Sequence, residues 1–361
     1  MSHYCFEVQR DDLSNTQILA LPDADSLELA AGQALLSVDH FALTANNITY
    51  GVAGDMLGYW QFFPTQGDWG RIPVWGIGTV LNSNNSQLKN GDRYYGYFPM
   101  ASYLAVSPEH VTERGFSDSA ANRADLAPVY NQYSLMTPEN GFDPAFDDHQ
   151  MVYRPLFATS FVLDDYLYDN DMFGAKTVIL SSASSKTSFG LGFLLHKNRD
   201  VKVVGLTSAS NKSFVESMGI YDQVVSYDEI ESLDSSEPVA FVDMAGNREV
   251  LGKLHNHFRD NMLCSCGVGI THWDAGDGQD PASLPGAKPT MFFAPTQMQK
   301  RTKEWGAEKY QQELAKAWQQ LMGVVDGWVN INHPSGAEGV KATFETVRAG
   351  ASPDQAYVVS L

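Results

Sequence analysis

The chain has 361 residues, of which 43% are hydrophobic and 19% charged. That is ample for two ordinary domains and excludes both a miniature disulfide scaffold and a disordered polar tract. The 43 Asp and Glu residues outnumber the 24 Lys and Arg residues, for a formal net charge of −19. With no basic run to offset it, neither nucleic acid nor an anionic membrane surface is an expected partner.

The first hundred residues read as short strands between turns, with strand candidates at 34–38, 74–81 and 93–98, the last entered through the turn Asn90-Gly91-Asp92. Residues 117–150 are polar and irregular, carry Pro128, Pro138 and Pro144, and are expected to form an insertion or lid, with a domain boundary near their end. After Tyr153 the texture changes. Helical spacing over 156–168 precedes a strand at 177–180, a helix at 189–195, a strand at 201–206, a helix at 211–218, and strands at 223–226, 239–242, 263–268 and 289–294. Strands alternating with helices build a doubly wound parallel sheet of the kind that binds nucleotides. One long helix over 302–322, a strand at 327–331, a helix at 337–349 and a strand at 356–361 are predicted to finish the chain.

The three cysteines, Cys5, Cys264 and Cys266, cannot form a disulfide framework and point to a reducing compartment. The N-terminal residues show neither a basic start nor an apolar stretch, and no window approaches the ~20 apolar residues of a membrane helix. A cytoplasmic protein is therefore expected.

The first candidate site is the loop 181–188, Ser-Ser-Ala-Ser-Ser-Lys-Thr-Ser, lying between a strand and a helix. At that turn of a doubly wound sheet a pyrophosphate meets helix N-terminal amides. The usual G-x-G-x-x-G is absent, because Gly190 and Gly192 fall inside the helix. Ser182, Ser184, Ser185, Lys186 and Thr187 would have to hold the phosphates. The plain alternative is a hydroxyl-rich N-cap with Lys186 in solvent. After the next strand stand Ser208 and Lys212, with no carboxylate at the strand end, and Tyr227 follows the strand after that. A hydroxyl and a cation there suit the 2′-phosphate of NADP(H), whereas NAD sites present Asp or Glu. The alternative is an ordinary cap and a solvated lysine. Later strand ends add Asp243, Gly246, Gly267, Gly269 and Phe293 to the candidate cofactor site, while Cys264 and Cys266 read as core fillers rather than nucleophiles.

In the β-rich part, the segments 46–51 and 59–64 hold Tyr50, Tyr59 and Asn47. Reduction of an activated double bond needs a proton donor or a group to hold an enolate oxygen, and Tyr50 is the first choice, with Tyr59 and Asn47 as helpers. An aromatic core cluster is the competing assignment. The aromatics Tyr59, Trp60, Phe62, Phe63, Tyr130, Tyr133, Phe292 and Phe293 point to a mainly apolar substrate. No H-E-x-x-H occurs, His255 and His257 read as a solvated helix face, and no metal site is expected.

The order of elements resembles the medium-chain dehydrogenase/reductase superfamily over nearly the whole chain, and within it the zinc-independent quinone oxidoreductase and enoyl reductase branch. Residues 73–80, PVWGIGTV, and 90–96, NGDRYYG, are similar to that family's P-x-x-x-G-x-G-x-V and G-D-R-V motifs. Asn47 and Tyr50 match its Asn before a substrate-facing Tyr, and Ser208, Lys212 and Tyr227 match its NADP phosphate pattern. The Cys and His ligands of the zinc alcohol dehydrogenases are missing, with Asp39-His40 near the first ligand position. More narrowly, the strings NNITYG, GYWQFFP, SSASSKTS, GLTS and FVDMAGN resemble the uncharacterised DUF2855 family. The resemblance implies an α/β fold: a β-rich GroES-like catalytic domain over 1–150 and 324–361, and a doubly wound Rossmann NADP-binding domain over 151–323. It further implies an NADPH-dependent, metal-independent oxidoreductase delivering hydride to a C=C or C=O bond of an enone, enoyl thioester or quinone-like substrate, and a homodimer. Two other readings stand beside it: an NADP(H)-binding redox sensor or partner-binding protein without turnover, and a lyase or isomerase that retains NADP.

Overall fold

The structure, a computed structural model, describes residues 3–268, 280–325 and 327–361, so Gly269 lies outside the described residues. The chain forms two units, Met1–Val152 with Val329–Leu361, and Tyr153–Trp328.

The first unit opens with β1 (His3–Gln9), β2 (Thr16–Leu21), β3 (Ala34–Ser37), β4 (His40–Leu43) and α1 (Ala45–Val52). It continues through β5 (Trp69–Gly70), β6 (Pro73–Ser83), β7 (Arg93–Pro99), β8 (Tyr103–Val106), β9 (Pro108–Thr112), β10 (Gly115–Asp118) and β11 (Gln132–Leu135). Helix α2 (Asp147–Asp169) leads into the second unit, made of β12 (Thr177–Leu180), α3 (Lys186–Asn198), β13 (Lys202–Thr207), α4 (Lys212–Ser217), β14 (Gln223–Ser226) and β15 (Val239–Asp243). That unit goes on with α5 (Arg248–Phe258), β16 (Met262–Gly267), β17 (Thr290–Met291), α6 (Ala294–Trp305) and α7 (Ala307–Val325). The chain then returns to the first unit with β18 (Asn330–Asn332), α8 (Gly336–Gly350) and β19 (Gln355–Val359).

The first unit holds a small sheet, β2-β1-β5, and a larger one ordered β18-β19-β4-β6-β7-β11-β10-β9, with β3 joining β6 to β8. Residues 117–150, expected as an insertion or lid, are woven into this sheet: β11 pairs with both β7 and β10 and sends the ring of Tyr133 into the core. The two glycines of the β6 motif have a steric reason. A Cβ at Gly76 would stand 2.7 Å from the His40 carbonyl oxygen, and one at Gly78 would collide with the Ser37 carbonyl oxygen, so both let strands cross closely.

The second unit is a six-stranded parallel sheet in the order β14-β13-β12-β15-β16-β17, the doubly wound order expected from the alternation of elements. Thr177–Leu180 is buried along its whole length because helices cover both faces of a central parallel strand. Three local expectations change. Helix α2 starts at Asp147, ahead of the helical spacing expected over 156–168, and carries Pro155 inside it. The strand expected over 289–294 shrinks to two residues because Pro295 sits in the first turn of α6, where its fixed φ suits a helix start. The long helix over 302–322 is two helices, since Gly306 at φ 86° ends α6. Among the described residues, no helix is long and apolar enough to cross a membrane.

One charged pair is built into the first unit's core. Arg123 is 1% exposed and Asp118 2%. The Arg123 Nε stands 3.2 Å from Asp118 Oδ2, while Oδ1 of the same carboxylate accepts from the backbone N–H groups of Ser107 and Ala120 at 2.9 and 3.1 Å. The guanidinium also lies over the Phe63 ring at 4.9 Å. Removing one partner leaves a buried charge uncompensated. Asp118→Ala is expected to lose about 3 kcal/mol of unfolding free energy in urea titration, and the double variant Asp118→Ala/Arg123→Met to recover part of it; equal stability of Asp118→Ala and the parent would contradict this role.

Candidate functional site

Strand β12 ends at the point where the sheet order reverses, β13 lying on one side and β15 on the other. Ser181, the first residue beyond it, is fully buried. Its hydroxyl donates to Asp243 Oδ1 at 2.7 Å and accepts from the backbone N–H groups of Met244 and Ala245 at 2.8 and 3.1 Å. The same Asp243 oxygen accepts from the N–H groups of Ala245 and Gly246 at 2.9 and 3.1 Å. The loops after β12 and β15 are thereby fixed to one another. Asp243, expected to contact cofactor, has this oxygen occupied inside the protein, and Gly246 takes a positive φ of 67° that its lack of a side chain permits.

Ser182 follows in the left-handed region at φ 45°, and its N–H donates to the hydroxyl of Tyr227 at 2.9 Å. Tyr227 thus lies on the loop 181–188 itself. Ser185 caps α3, accepting from the N–H of Ser188 at 3.2 Å, and Ser184 receives the amide of Asn211 at 3.2 Å. Lys186 and Thr187 form the first turn of α3, so Ser182, Ser184, Ser185, Lys186 and Thr187 gather at one helix start. Gly190 and Gly192 serve packing here. A Cβ at Gly190 would stand 2.6 Å from Ser160 Oγ of α2, and one at Gly192 would stand 3.0 Å from the Tyr221 ring. Tyr221, which sequence reasoning passed over, donates its hydroxyl to the carbonyl of Ala183 at 3.0 Å and braces the loop from below.

At the neighbouring strand ends the register pairs Thr207 of β13 with Ser226 of β14. Ser208 shares a hydrogen bond with Ser210 at 2.9 Å. The ammonium of Lys212 is not a bare cation: it donates to Glu229 Oε2 at 2.8 Å. Sequence reasoning found no carboxylate after β13. Glu229 reaches this edge from the turn after β14, and its one visible signal is the Ser226-x-x-Glu229 spacing, which lets Oε2 accept from the Ser226 hydroxyl at 2.9 Å and its N–H at 3.3 Å. These contacts, Lys212 first, hold the Glu229 carboxyl down at about 2. Further along, Gly267 ends β16 beside Asp243, and Phe293 caps α6 with 67% of its surface exposed.

The cysteines Cys264 and Cys266 are buried free thiols in the sheet core, and burial pushes the Cys264 thiol up to about 12, which suits filler and not nucleophile. His255 is not on a solvated face. It is fully buried, with Nδ1 2.8 Å from the Pro285 carbonyl oxygen and Nε2 2.9 Å from Ser265 Oγ, and burial lowers its pKa. His257 likewise reaches the Leu233 carbonyl oxygen at 2.8 Å. Among the described residues, no three His, Cys, Asp or Glu side chains converge as a metal site.

In the first unit, Asn47 is held at both ends of its amide. The oxygen accepts from the N–H of Thr44 at 2.8 Å and the nitrogen donates to the Pro73 carbonyl at 2.9 Å, so it caps α1 and anchors that helix to β6. One turn on, the Tyr50 hydroxyl receives the Asn46 amide at 2.7 Å and the Trp75 indole N–H at 3.4 Å. The Tyr59 ring lies 4.5 Å from that of Tyr50, and its hydroxyl stands 3.2 Å from that of Tyr130. Burial raises the pKa of Tyr50, Tyr59 and Tyr130. Of the aromatics expected around an apolar substrate, Trp60, Phe62, Phe63 and Tyr133 are instead core residues of this unit.

The donor set of the second unit fits a dinucleotide: hydroxyls, helix-start amides and a left-handed turn at the switch point are what a pyrophosphate takes up. Among solved structures, the fold is similar to that of CurA from Vibrio vulnificus in complex with NADPH, at a TM-score of 0.65 and 12% identity over 99% of this chain and 98% of that one. The yhdH oxidoreductase from Salmonella enterica in complex with NADP follows at a TM-score of 0.55 and 15% identity, covering 99% of each chain. The quinone oxidoreductase from Coxiella burnetii matches at 0.54 and 13% identity over 100% of each. These likenesses are of fold, α/β with a β-rich GroES-like unit and a doubly wound Rossmann unit, as the sequence led us to expect. No curated protein matches in sequence. The sequence model described as protein of unknown function (DUF2855) matches residues 41–353, and the chain belongs to that family.

Proposed function

We propose that the chain is an NADPH-dependent oxidoreductase that needs no metal and delivers hydride to an activated C=C or C=O bond of a largely apolar carbonyl compound. The observation that carries this reading is the loop 181–188, a hydroxyl-lined helix start fixed at the reversal point of a doubly wound sheet. Ser182, Ser184, Ser185, Lys186 and Thr187 are proposed to hold the pyrophosphate, Ser208 and Lys212 the 2′-phosphate, and Gly267 and Phe293 to border the nicotinamide. When bound, the nicotinamide supplies the hydride.

Tyr50 is the proposed donor to a developing enolate oxygen. Its hydroxyl accepts from Asn46 and Trp75, and burial keeps the proton on the phenol. Asn47 acts as a positioning residue, through α1, and Tyr59 through ring contact. The burial of Tyr50 also favours the second reading, a protein that binds NADP(H) without turnover.

Nicotinamide absorbance followed over enones, enoyl thioesters, quinones and aldehydes separates the two readings: oxidation of NADPH by one of these classes is expected, and its absence with all four, alongside tight NADPH binding, would favour the binder. Tyr50→Phe is expected to lower kcat by about a hundredfold while NADPH affinity holds, the size of one lost oxyanion donor; unchanged kcat would remove Tyr50 from the mechanism. Because the raised pKa keeps the donor protonated below its ordinary value of about 10, kcat is expected to be flat from about pH 6 to 9 on its account. A Tyr50-dependent loss within that window would contradict the assignment.

A further inference from the structure

We propose that Glu229 sets the choice between phosphorylated and unphosphorylated dinucleotide, by holding the cation that a 2′-phosphate needs. The inference rests on the dinucleotide-binding reading above. One carboxylate oxygen, Oε2, gathers the ammonium of Lys212 at 2.8 Å, the hydroxyl of Ser226 at 2.9 Å and the N–H of Ser226 at 3.3 Å. The turn that delivers it is closed by the Glu229 N–H donating to the Ser226 carbonyl at 2.9 Å, and Tyr227 is tied to the end of β13 through its N–H on the Thr207 carbonyl at 3.0 Å. Lys212, the hydroxyls of Ser208 and Ser226 and the Glu229 carboxylate therefore occupy the adjacent ends of β13 and β14.

A 2′-phosphate and the Glu229 carboxylate would compete for Lys212, and as like charges they would repel one another when drawn to the same ammonium. A ribose diol meets the opposite situation, since a carboxylate accepts from hydroxyls. The Lys212 and Glu229 side chains are 32% and 51% exposed, so their pairing is readily exchanged for another partner in solvent. Glu229 thus tempers a site whose hydroxyls and lysine otherwise favour NADP(H), and admits NAD(H) to the same edge.

The test is calorimetric titration of the full chain and of Glu229→Gln with NADPH, NADH, adenosine 2′-monophosphate and adenosine 5′-monophosphate. Glu229→Gln is expected to bind NADPH and the 2′-monophosphate about fivefold more tightly, with NADH and the 5′-monophosphate unchanged or weaker. The gain is expected to vanish in the double variant Lys212→Ala/Glu229→Gln. Glu229→Asp, which keeps the charge, serves as a second variant and should keep the parent's preference. A parent chain that binds a dinucleotide while Glu229→Gln leaves the NADPH-to-NADH ratio unchanged overturns this proposal alone. A parent chain that binds neither dinucleotide overturns it together with the proposed function.

Discussion

The hydroxyl of Ser181 is the point on which the second unit's upper edge depends. Buried at the end of the central strand, it gives one hydrogen bond to Asp243 and takes two from the backbone after β15, so its capacity is filled. Hydrogen bonds to a charged group contribute about 1.5–3 kcal/mol each, and a buried carboxylate stripped of them is costly. The sheet can therefore carry two loops apart in sequence as one fixed piece. Everything proposed for the site, from the left-handed turn at Ser182 to the capped start of α3, inherits its placement from that contact.

The electrostatics of the site are local. A chain with a net charge of −19 attracts no polyanion by its overall field. A dinucleotide would instead meet fixed dipoles and hydroxyls on a helix start, which act over one turn and need no net positive charge. Lys212 shows how finely this is balanced, because the nearest acidic side chain already claims it. In the first unit the same economy appears inside the core, where Arg123 and Asp118 cancel and the tyrosine hydroxyls answer one another across their rings.

The sequence reveals what repeats along it or sits in a short window. Alternating strands and helices disclose the doubly wound sheet, and the hydroxyl-rich loop is visible because it lies between two such elements. Asn47, read from the sequence as a helper of Tyr50, is used by the structure to cap α1 against Thr44. What escaped depends on partners far away in sequence. His255 looks like one of a surface pair until Ser265 and Pro285 close on both ring nitrogens. Gly190 and Gly192 look like remnants of a phosphate motif until Ser160 and Tyr221 fill the space beside them. Glu229 escaped for the same reason, being 17 positions from the lysine it meets.

The central claim is that the loop 181–188 is where a dinucleotide's phosphates settle, and hydrogen–deuterium exchange of the full chain with and without NADPH tests it most directly. Amides of residues 182–188 are expected to gain protection on adding the cofactor, with smaller changes near Ser208 and Gly246. Protection confined to other segments, with the 182–188 amides exchanging as before, would contradict the account.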